Sequence, residues 1–435
     1  MPDTIRPSIG DTSWFVRDRF GLFIHWGLYA LPARHEWVKS MEKLDDDKYD
    51  LYFKHFDPDL YDPNAWADAA AGAGMKYFVI TTKHHEGFCL WDTKLTDYKA
   101  TNTPAKRDLL RPMVEAFRSR GMKVGFYHSL IDWHHPHYVI DNKNGPLKEN
   151  DAERAKRNIN RDHRKYIEYL HGQTRELLTE FGKVDILWYD FSFPDKEAPD
   201  DLTRGKGHKA WDSERLYKMV RELQPHVILD DRLDLPDGWD VKTPEQAQPR
   251  EWVTVNGQRV VWEACQTFSG SWGYHRDENS WRDTDELIRT LVDCVSKGGN
   301  LLLNVGPTGR GEFDARALDR LAGIGKWMKR HSRSIYGCTQ APAEFKTPRD
   351  CRLTYNPDTR RIYVHCFAWP YKHLHLDGFS GKVEYAQLLN DASEVGIGMD
   401  EWHGQQVELK RDTITLNLPK PKPDAAVPVV ELFLK

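Results

Sequence analysis

Apolar and polar positions along the chain follow two alternating periods. Short apolar runs rich in β-branched and aromatic residues read as strands: Phe20–Trp26, Lys76–Thr82, Lys123–Ser129, Val184–Tyr189, Val227–Asp230, Val260–Ala264 and Leu301–Val305. Amphipathic stretches between them predict helices over Pro63–Ala73, Leu109–Arg120, Asp162–Phe181, Ser213–Leu223, Thr284–Ser296 and Ala315–His331. Gly121 and Gly182 follow two of these, where a helix commonly closes on a left-handed residue. Strand and helix in strict alternation argue for parallel strands joined by crossover helices.

Nearly every apolar run ends in polar or aromatic side chains. Examples are Ile24-His25-Trp26, Thr82-Lys83-His84-His85-Glu86, Tyr127-His128, Trp188-Tyr189-Asp190, Asp230-Asp231-Arg232 and Trp262-Glu263. Such residues at the C-terminal ends of many strands meet at one point only if the strands close into a ring. An open doubly wound sheet would concentrate function at one switch point, usually beside a Gly-rich phosphate loop, and the chain has none. The expected fold is α/β, a (β/α)8-like TIM barrel. After Tyr336 the pattern changes to short alternating runs at Arg361–Phe367, Val383–Leu388, Gln406–Leu409 and Val427–Leu434, punctuated by Asn356-Pro357-Asp358 and Asp377-Gly378. These predict a C-terminal antiparallel β-sandwich. The division is a catalytic barrel domain over 1–336 and a sandwich domain over 337–435.

Charge and composition exclude several function classes. Lys and Arg number 62 against 66 Asp and Glu, so a global basic footprint for nucleic acid is absent. The basic run Arg154–Lys165 reads as a solvated helix face. No stretch approaches the roughly 18 consecutive apolar residues of a membrane helix. The six cysteines are scattered without a Cys-x-x-Cys pair, and Met1–Pro7 carries no apolar signal core. Buried free thiols in a cytoplasmic protein are the expectation, although a mature secreted or periplasmic form would look the same at its N-terminus. The 16 Trp and 19 His fill a core or line a sugar cleft equally well on composition, since flat ring faces suit the C–H face of a pyranose.

Candidate chemistry centres on Asp190, which an apolar strand delivers to the barrel mouth. An isolated Asp there is more often a cap or an ion-pair partner. Here the mouth also receives His25, His84, His85, Tyr127, His128 and Arg232. A carboxylate ringed by donors stays ionised and can act as a nucleophile. Glycoside hydrolysis needs a second carboxyl to protonate the leaving oxygen. Glu245, in Thr243-Pro244-Glu245-Gln246, lies on a loop able to reach over the site, and its bland alternative is an exposed loop acid. Glu263, read as ending a strand, would more naturally bond a hydroxyl or orient a neighbour. The pairs His84-His85 and His134-His135 invite a metal reading. Adjacent residues in an extended segment point apart, however, and no zincin spacing is present. Neutral imidazoles offering one donor and one acceptor to sugar hydroxyls fit better.

Several ordered motifs resemble glycoside hydrolase family 29, the α-L-fucosidases. They are Phe20-Gly21-Leu22-Phe23-Ile24-His25-Trp26-Gly27, Lys83-His84-His85-Glu86-Gly87-Phe88, Leu187-Trp188-Tyr189-Asp190, Trp262-Glu263-Ala264-Cys265 with Ser271-Trp272-Gly273-Tyr274, and Gly298-Gly299-Asn300-Leu301-Leu302-Leu303-Asn304-Val305. The resemblance implies a retaining, exo-acting hydrolase that removes terminal α-L-fucose from oligosaccharides or glycoconjugates by double displacement, with no cofactor and no metal. Carried over by position, Asp190 matches the nucleophile. His25, His84, His85, Tyr127, Trp188 and Arg232 match sugar-binding positions. Glu36-Trp37 resembles the pair that reaches the fucose hydroxyls, and Trp272 an aromatic wall near the methyl group. Glu245 looks like the acid/base, with Glu263 the runner-up. Homo-oligomer formation is left open. Two rival readings stand beside this one: a metal-dependent hydrolase on the same barrel, and a non-catalytic carbohydrate-binding protein.

Overall fold

The computed structural model describes residues 4–398 and 408–435. Seven strands, β1 (Phe20–Ile24), β2 (Tyr77–Lys83), β3 (Lys123–Ser129), β4 (Ile186–Asp190), β5 (Ile228–Leu229), β6 (Glu263–Thr267) and β7 (Asn300–Val305), form one sheet in the order β5-β4-β3-β2-β1-β7-β6. All neighbours in it are parallel. The ring is closed between β5 and β6 by residues 241–245, which make parallel bridges Asp230↔Val241, Lys242↔Trp262 and Glu245↔Cys265. The Lys242 amide donates to the Val261 carbonyl and the Cys265 amide to the Pro244 carbonyl, at 3.0 and 3.1 Å. This irregular segment is the eighth stave of a TIM barrel.

Period-two alternation sorts the strand side chains between two cores. Phe23, Val79, Tyr127, Ile186, Trp188, Ile228 and Leu302 fill the barrel interior. Leu22, Ile24, Phe78, Ile80, Phe126, Leu187, Leu301 and Leu303 point outward under the helices. At Gly21 the Tyr77 ring crosses the interior so closely that a Cβ would meet it at 2.2 Å, so no side chain fits there.

The helix layer matches the predicted amphipathic stretches: α1 (Pro63–Gly72), α2 (Leu110–Ser119), α3 (His163–Glu180), α4 (Ser213–Leu223), α5 (Thr284–Ser296) and α6 (Ala315–His331). Aspartates start four of them. Asp62, Asp162, Asp283 and Asp314 each accept a first-turn backbone N–H, satisfying donors the helix itself leaves free.

The C-terminal part is a β-sandwich. One sheet holds β8 (Thr339–Gln340), β9 (Cys351–Asn356), β10 (Arg361–Cys366), β12 (Val383–Leu388) and β15 (Val429–Leu434), in the order β8-β9-β10-β15-β12. The other holds β11 (His373–Asp377), β13 (Gly396–Ile397) and β14 (Thr413–Asn417), in the order β11-β14-β13. Leu353, Ile362, Val364, Leu376, Leu416, Val430 and Leu432 are buried between them. The run expected at Gln406–Leu409 lies partly outside the described residues, and its described part is not strand.

One strand differs from its predicted bounds with a consequence for function. The run expected at Val260–Ala264 is displaced, because β6 pairs Glu263↔Asn300 through Thr267↔Asn304 along β7. Glu263 therefore begins its strand instead of ending it, which puts it at the floor of the barrel, away from the mouth. The apolar run stops at a charged residue in the sequence, but the ladder continues through Cys265, Gln266 and Thr267.

Candidate active site

The C-terminal mouth of the barrel brings two carboxylates onto one guanidinium. Asp190, the last residue of β4, accepts from Arg232 Nη1 through Oδ1 at 3.0 Å. Glu245, at the end of the closing stave, accepts from Arg232 Nη2 through Oε2 at 3.0 Å. Arg232 is anchored to that stave by bonds from Nε to Thr243 Oγ1 and from Nη2 to the Thr243 carbonyl, each 3.1 Å, and it lies 4.8 Å over the Trp188 ring. The other oxygen of Asp190 accepts the Tyr127 hydroxyl at 2.8 Å. Phe191, directly after Asp190, has φ of 81°, a left-handed conformation uncommon for a bulky residue. Such strain persists only where the surrounding structure enforces it.

Exposure separates the two carboxylates. The Asp190 side chain is 15% exposed and that of Glu245 43%. Burial raises the Asp190 pKa to about 6, and the neighbouring Glu245 adds to the rise, while Arg232 and the Tyr127 hydroxyl oppose it. Asp190 thus faces the closed end of the mouth and Glu245 its rim.

Three neutral histidines line the floor of the mouth. Burial holds His25 and His85 well below their ordinary pKa and takes His84 down to about 3. Two have their tautomer set by bonds. Asn304 spends its amide N–H on the Trp272 carbonyl at 2.7 Å, so its oxygen must accept from His25 Nδ1 at 2.6 Å. Ser129 donates its hydroxyl to the Ile131 carbonyl at 2.7 Å, so it accepts from His85 Nδ1, also at 2.7 Å. Each ring is left with a bare Nε2 acceptor; that of His85 lies 3.7 Å from Asp190. The rings of His84 and His85 were expected to point apart, yet their centroids are 4.0 Å from each other. Strand β2 has already ended at Lys83, and the chain turns so that the Gly87 amide donates to the His84 carbonyl at 3.0 Å.

Aromatic faces complete the walls. Trp272 packs on His25 at 5.1 Å and on Phe23 at 5.9 Å, while Trp188 stacks on Tyr127 at 5.8 Å. Trp37 sits edge-on to His85 at 5.2 Å. Glu36 is buried and accepts the backbone N–H groups of Trp272 and Gly273 at 3.1 and 2.8 Å, which ties the two mouth loops together. Burial raises its pKa, and those two donors work against the rise.

Two sequence-predicted site residues are not here. His128 follows Tyr127 in β3, so it projects to the outer face, where Nδ1 lies 3.0 Å from Thr82 Oγ1 and the ring packs at 5.9 Å from Trp91. Glu263, at the barrel floor, accepts the Tyr77 hydroxyl. Conversely, the mouth holds residues not singled out from the sequence. Trp133 and Phe191 both pack against Trp37 and His85, and Asn304 orients His25. Trp133 and Phe191 follow strand ends, the same signal that marked the other site residues. Among the described residues no group of three or more His, Cys, Asp or Glu converges as a metal ligand set.

A parallel barrel whose C-terminal mouth presents a carboxylate pair, neutral imidazoles and aromatic walls has the constitution of a TIM-barrel glycoside hydrolase. The α-L-fucosidase family model matches residues 9–333, and the chain belongs to that family. A mouse tissue α-L-fucosidase is 29% identical over 383 residues, covering 82% of this chain and 78% of its own length. An α-L-fucosidase isoenzyme from Paenibacillus thiaminolyticus superposes with a TM-score of 0.89 at 43% identity, over 98% of both chains. A Bacteroides thetaiotaomicron α-L-fucosidase, solved as a covalent intermediate trapped with 2-fluoro-fucosyl fluoride, superposes with a TM-score of 0.83 at 29% identity, over 99% of this chain and 98% of its own. No helix of the described residues is long and apolar enough to cross a membrane.

Proposed function

We propose that Asp190 is the nucleophile and Glu245 the general acid/base in the retaining, exo-acting hydrolysis of terminal α-L-fucosides. The observation that carries this reading is the shared guanidinium of Arg232, which sets the two carboxylates side by side, one shielded and one at the rim. Retaining enzymes work with their carboxylates only about 5–5.5 Å apart. In the first step an Asp190 oxygen attacks the anomeric carbon as Glu245 gives its proton to the departing glycosidic oxygen, forming a fucosyl ester of inverted configuration. In the second, Glu245 takes a proton from water, which attacks the same carbon and releases fucose with its original configuration.

His25, His84, His85, Glu36 and Trp37 meet the sugar hydroxyls, Tyr127, Trp188 and Arg232 hold the nucleophile and the ring, and Trp272 walls the methyl group. We also read the chain as a catalytic domain over 1–336 and a sandwich domain over 337–435, supported by an apolar core between the sandwich sheets distinct from the barrel interior, though Tyr363, Leu389, Val427 and Val429 join the helix-layer core. A cytoplasmic location is supported by six buried, unpaired thiols.

Incubation with 2-deoxy-2-fluoro-α-L-fucosyl fluoride followed by peptide mass mapping tests the assignment. The expected label is on the peptide carrying Asp190; a label elsewhere, or none with a turned-over aryl α-L-fucoside, overturns it.

A further inference from the structure

Behind the mouth lies a cluster of buried polar groups that the hydrolysis itself leaves unused. Both carboxyl oxygens of Glu86, Nδ1 of His84, Nζ of Lys39 and the hydroxyl of Tyr49 are all buried without a hydrogen-bond partner on another residue. Glu86 is 1% exposed, and one of its oxygens lies 3.6 Å from His84 Nδ1. The carboxyl fits because residue 27 is glycine: a Cβ there would meet Glu86 Oε1 at 2.9 Å.

Charged and titratable groups face Glu86 from every side. They are Tyr29 on the 3-10 turn after β1, Lys39 on the short helix Val38–Met41, Tyr49 on the helix Asp46–His55, Lys83 at the end of β2, Tyr98 on the loop after β2, and Asp132 after β3. Both cations already have carboxylate partners, Lys39 with Asp46 at 2.9 Å and Lys83 with Asp132 at 3.3 Å. Glu86 has no ion pair of its own, and burial favours its neutral form against the attraction of Lys39 and Lys83. Burial accordingly raises its pKa to about 8.

We infer that Glu86 is a positioning residue that sets the tautomer of His84 and so the hydrogen-bonding role His84 offers the sugar. A neutral Glu86 donates its O–H to His84 Nδ1, through one water or after a small shift that closes the 3.6 Å gap, which leaves the imidazole proton on Nε2. His84 is then the one donor among three histidines, because His25 and His85 present bare Nε2 acceptors. An ionised Glu86 reverses this: Nδ1–H donates to the carboxylate and Nε2 becomes a third acceptor. The His84 ring, packed against His25 at 5.5 Å, His85 at 4.0 Å and Tyr127 at 5.6 Å, has its remaining nitrogen for a ligand.

The inference rests on the mouth being the fucose site, which wild-type turnover of the test substrate checks by itself. The substrate is 2-chloro-4-nitrophenyl α-L-fucoside, whose leaving group needs no general acid, so kcat/KM is read without Glu245. The wild-type profile is expected to fall on an alkaline limb near pH 8. Glu86→Gln, whose amide still donates to Nδ1 but cannot ionise, is expected to lose that limb and to stay within about fivefold of wild type at pH 7. Glu86→Met, with no donor, is expected to lose at least tenfold in kcat/KM at pH 7 while its circular dichroism matches wild type. A wild-type profile flat to pH 9, a Gln variant that keeps the limb, or a folded Met variant equal to Gln overturns the inference. If the Met variant does not fold, the Gln profile decides alone.

Discussion

Asp190 and Glu245 share the guanidinium of Arg232, bonded to its two terminal nitrogens at 3.0 Å each. The two carboxylates come from separate staves, one at the end of β4 and one on the irregular segment that closes the barrel, and Arg232 fixes their separation. An Asp190→Gly variant is therefore expected to fold normally and to lose roughly 10³-fold or more in kcat. Added azide should restore turnover and give β-L-fucosyl azide, of configuration opposite to the substrate. Normal activity in that variant, or rescue to the α-azide, would remove Asp190 from its role.

Glu245→Ala should behave differently with different leaving groups. Loss of a positioned acid costs about 10²–10⁴-fold where the departing oxygen needs a proton, and much less where it does not. Kinetics on a fucosylated oligosaccharide and on an activated aryl fucoside should show that split, with azide giving the α-L-fucosyl product. Equal losses on both substrates would argue against an acid/base role.

Arg232→Met should move the acid limb of activity. Asp190 must be ionised to attack, so wild-type kcat/KM is expected to rise with pH through about 6. Arg232 is the main group holding that pKa down against burial. Its removal should carry the limb to higher pH and lower kcat/KM at neutrality. Arg232→Lys should recover only part of this, since one ammonium cannot reproduce the fork that reaches both carboxylates. An acid limb that stays in place in the Met variant would show that Arg232 does not govern Asp190.

The helices and most barrel strands were legible because their burial imposes a period that side chains must obey. Asp190 was legible for the same reason, as the polar end of an apolar strand. The closing stave was not. In residues 241–245 only Val241 is an apolar inward residue, and the segment is held by backbone bonds to Leu229, Val261 and Cys265, which no side-chain pattern reports. The sequence therefore gives Glu245 the look of a loop residue, although it stands at a stave end like Asp190. For His128 the sequence does hold the signal, because Tyr127 and His128 are neighbours in one strand and cannot both face inward. Glu263 could not, since nothing local signals that its strand runs on through Gln266 and Thr267. Nor does any pattern foretell the unpaired carboxyl of Glu86, which depends on where Lys39 and Lys83 find their partners.

Glu263 should contribute a component of stability that falls with rising pH, opposite in sign to that of the buried neutral histidines. Its carboxyl, buried at the barrel floor beside Tyr77, has its pKa raised by burial from 4.5 to about 8. Between those values the native state keeps a proton that the unfolded chain has released, so unfolding takes up less free energy as pH increases. The contribution is fully present below about pH 4.5 and is lost progressively up to about pH 8. Its steepest slope is about 1 kcal/mol per pH unit. Glu86, shifted in the same direction, adds a parallel slope. Glu263→Gln keeps a polar partner for the Tyr77 hydroxyl and cannot ionise, so it should remove Glu263's share of the dependence while leaving that of Glu86. Thermal or urea midpoints of wild type and variant at pH 5.5, 6.5 and 7.5 measure this directly. Curves that converge at low pH and separate at high pH, with the variant the more stable, are expected; parallel curves would mean that Glu263 is already ionised in the folded barrel.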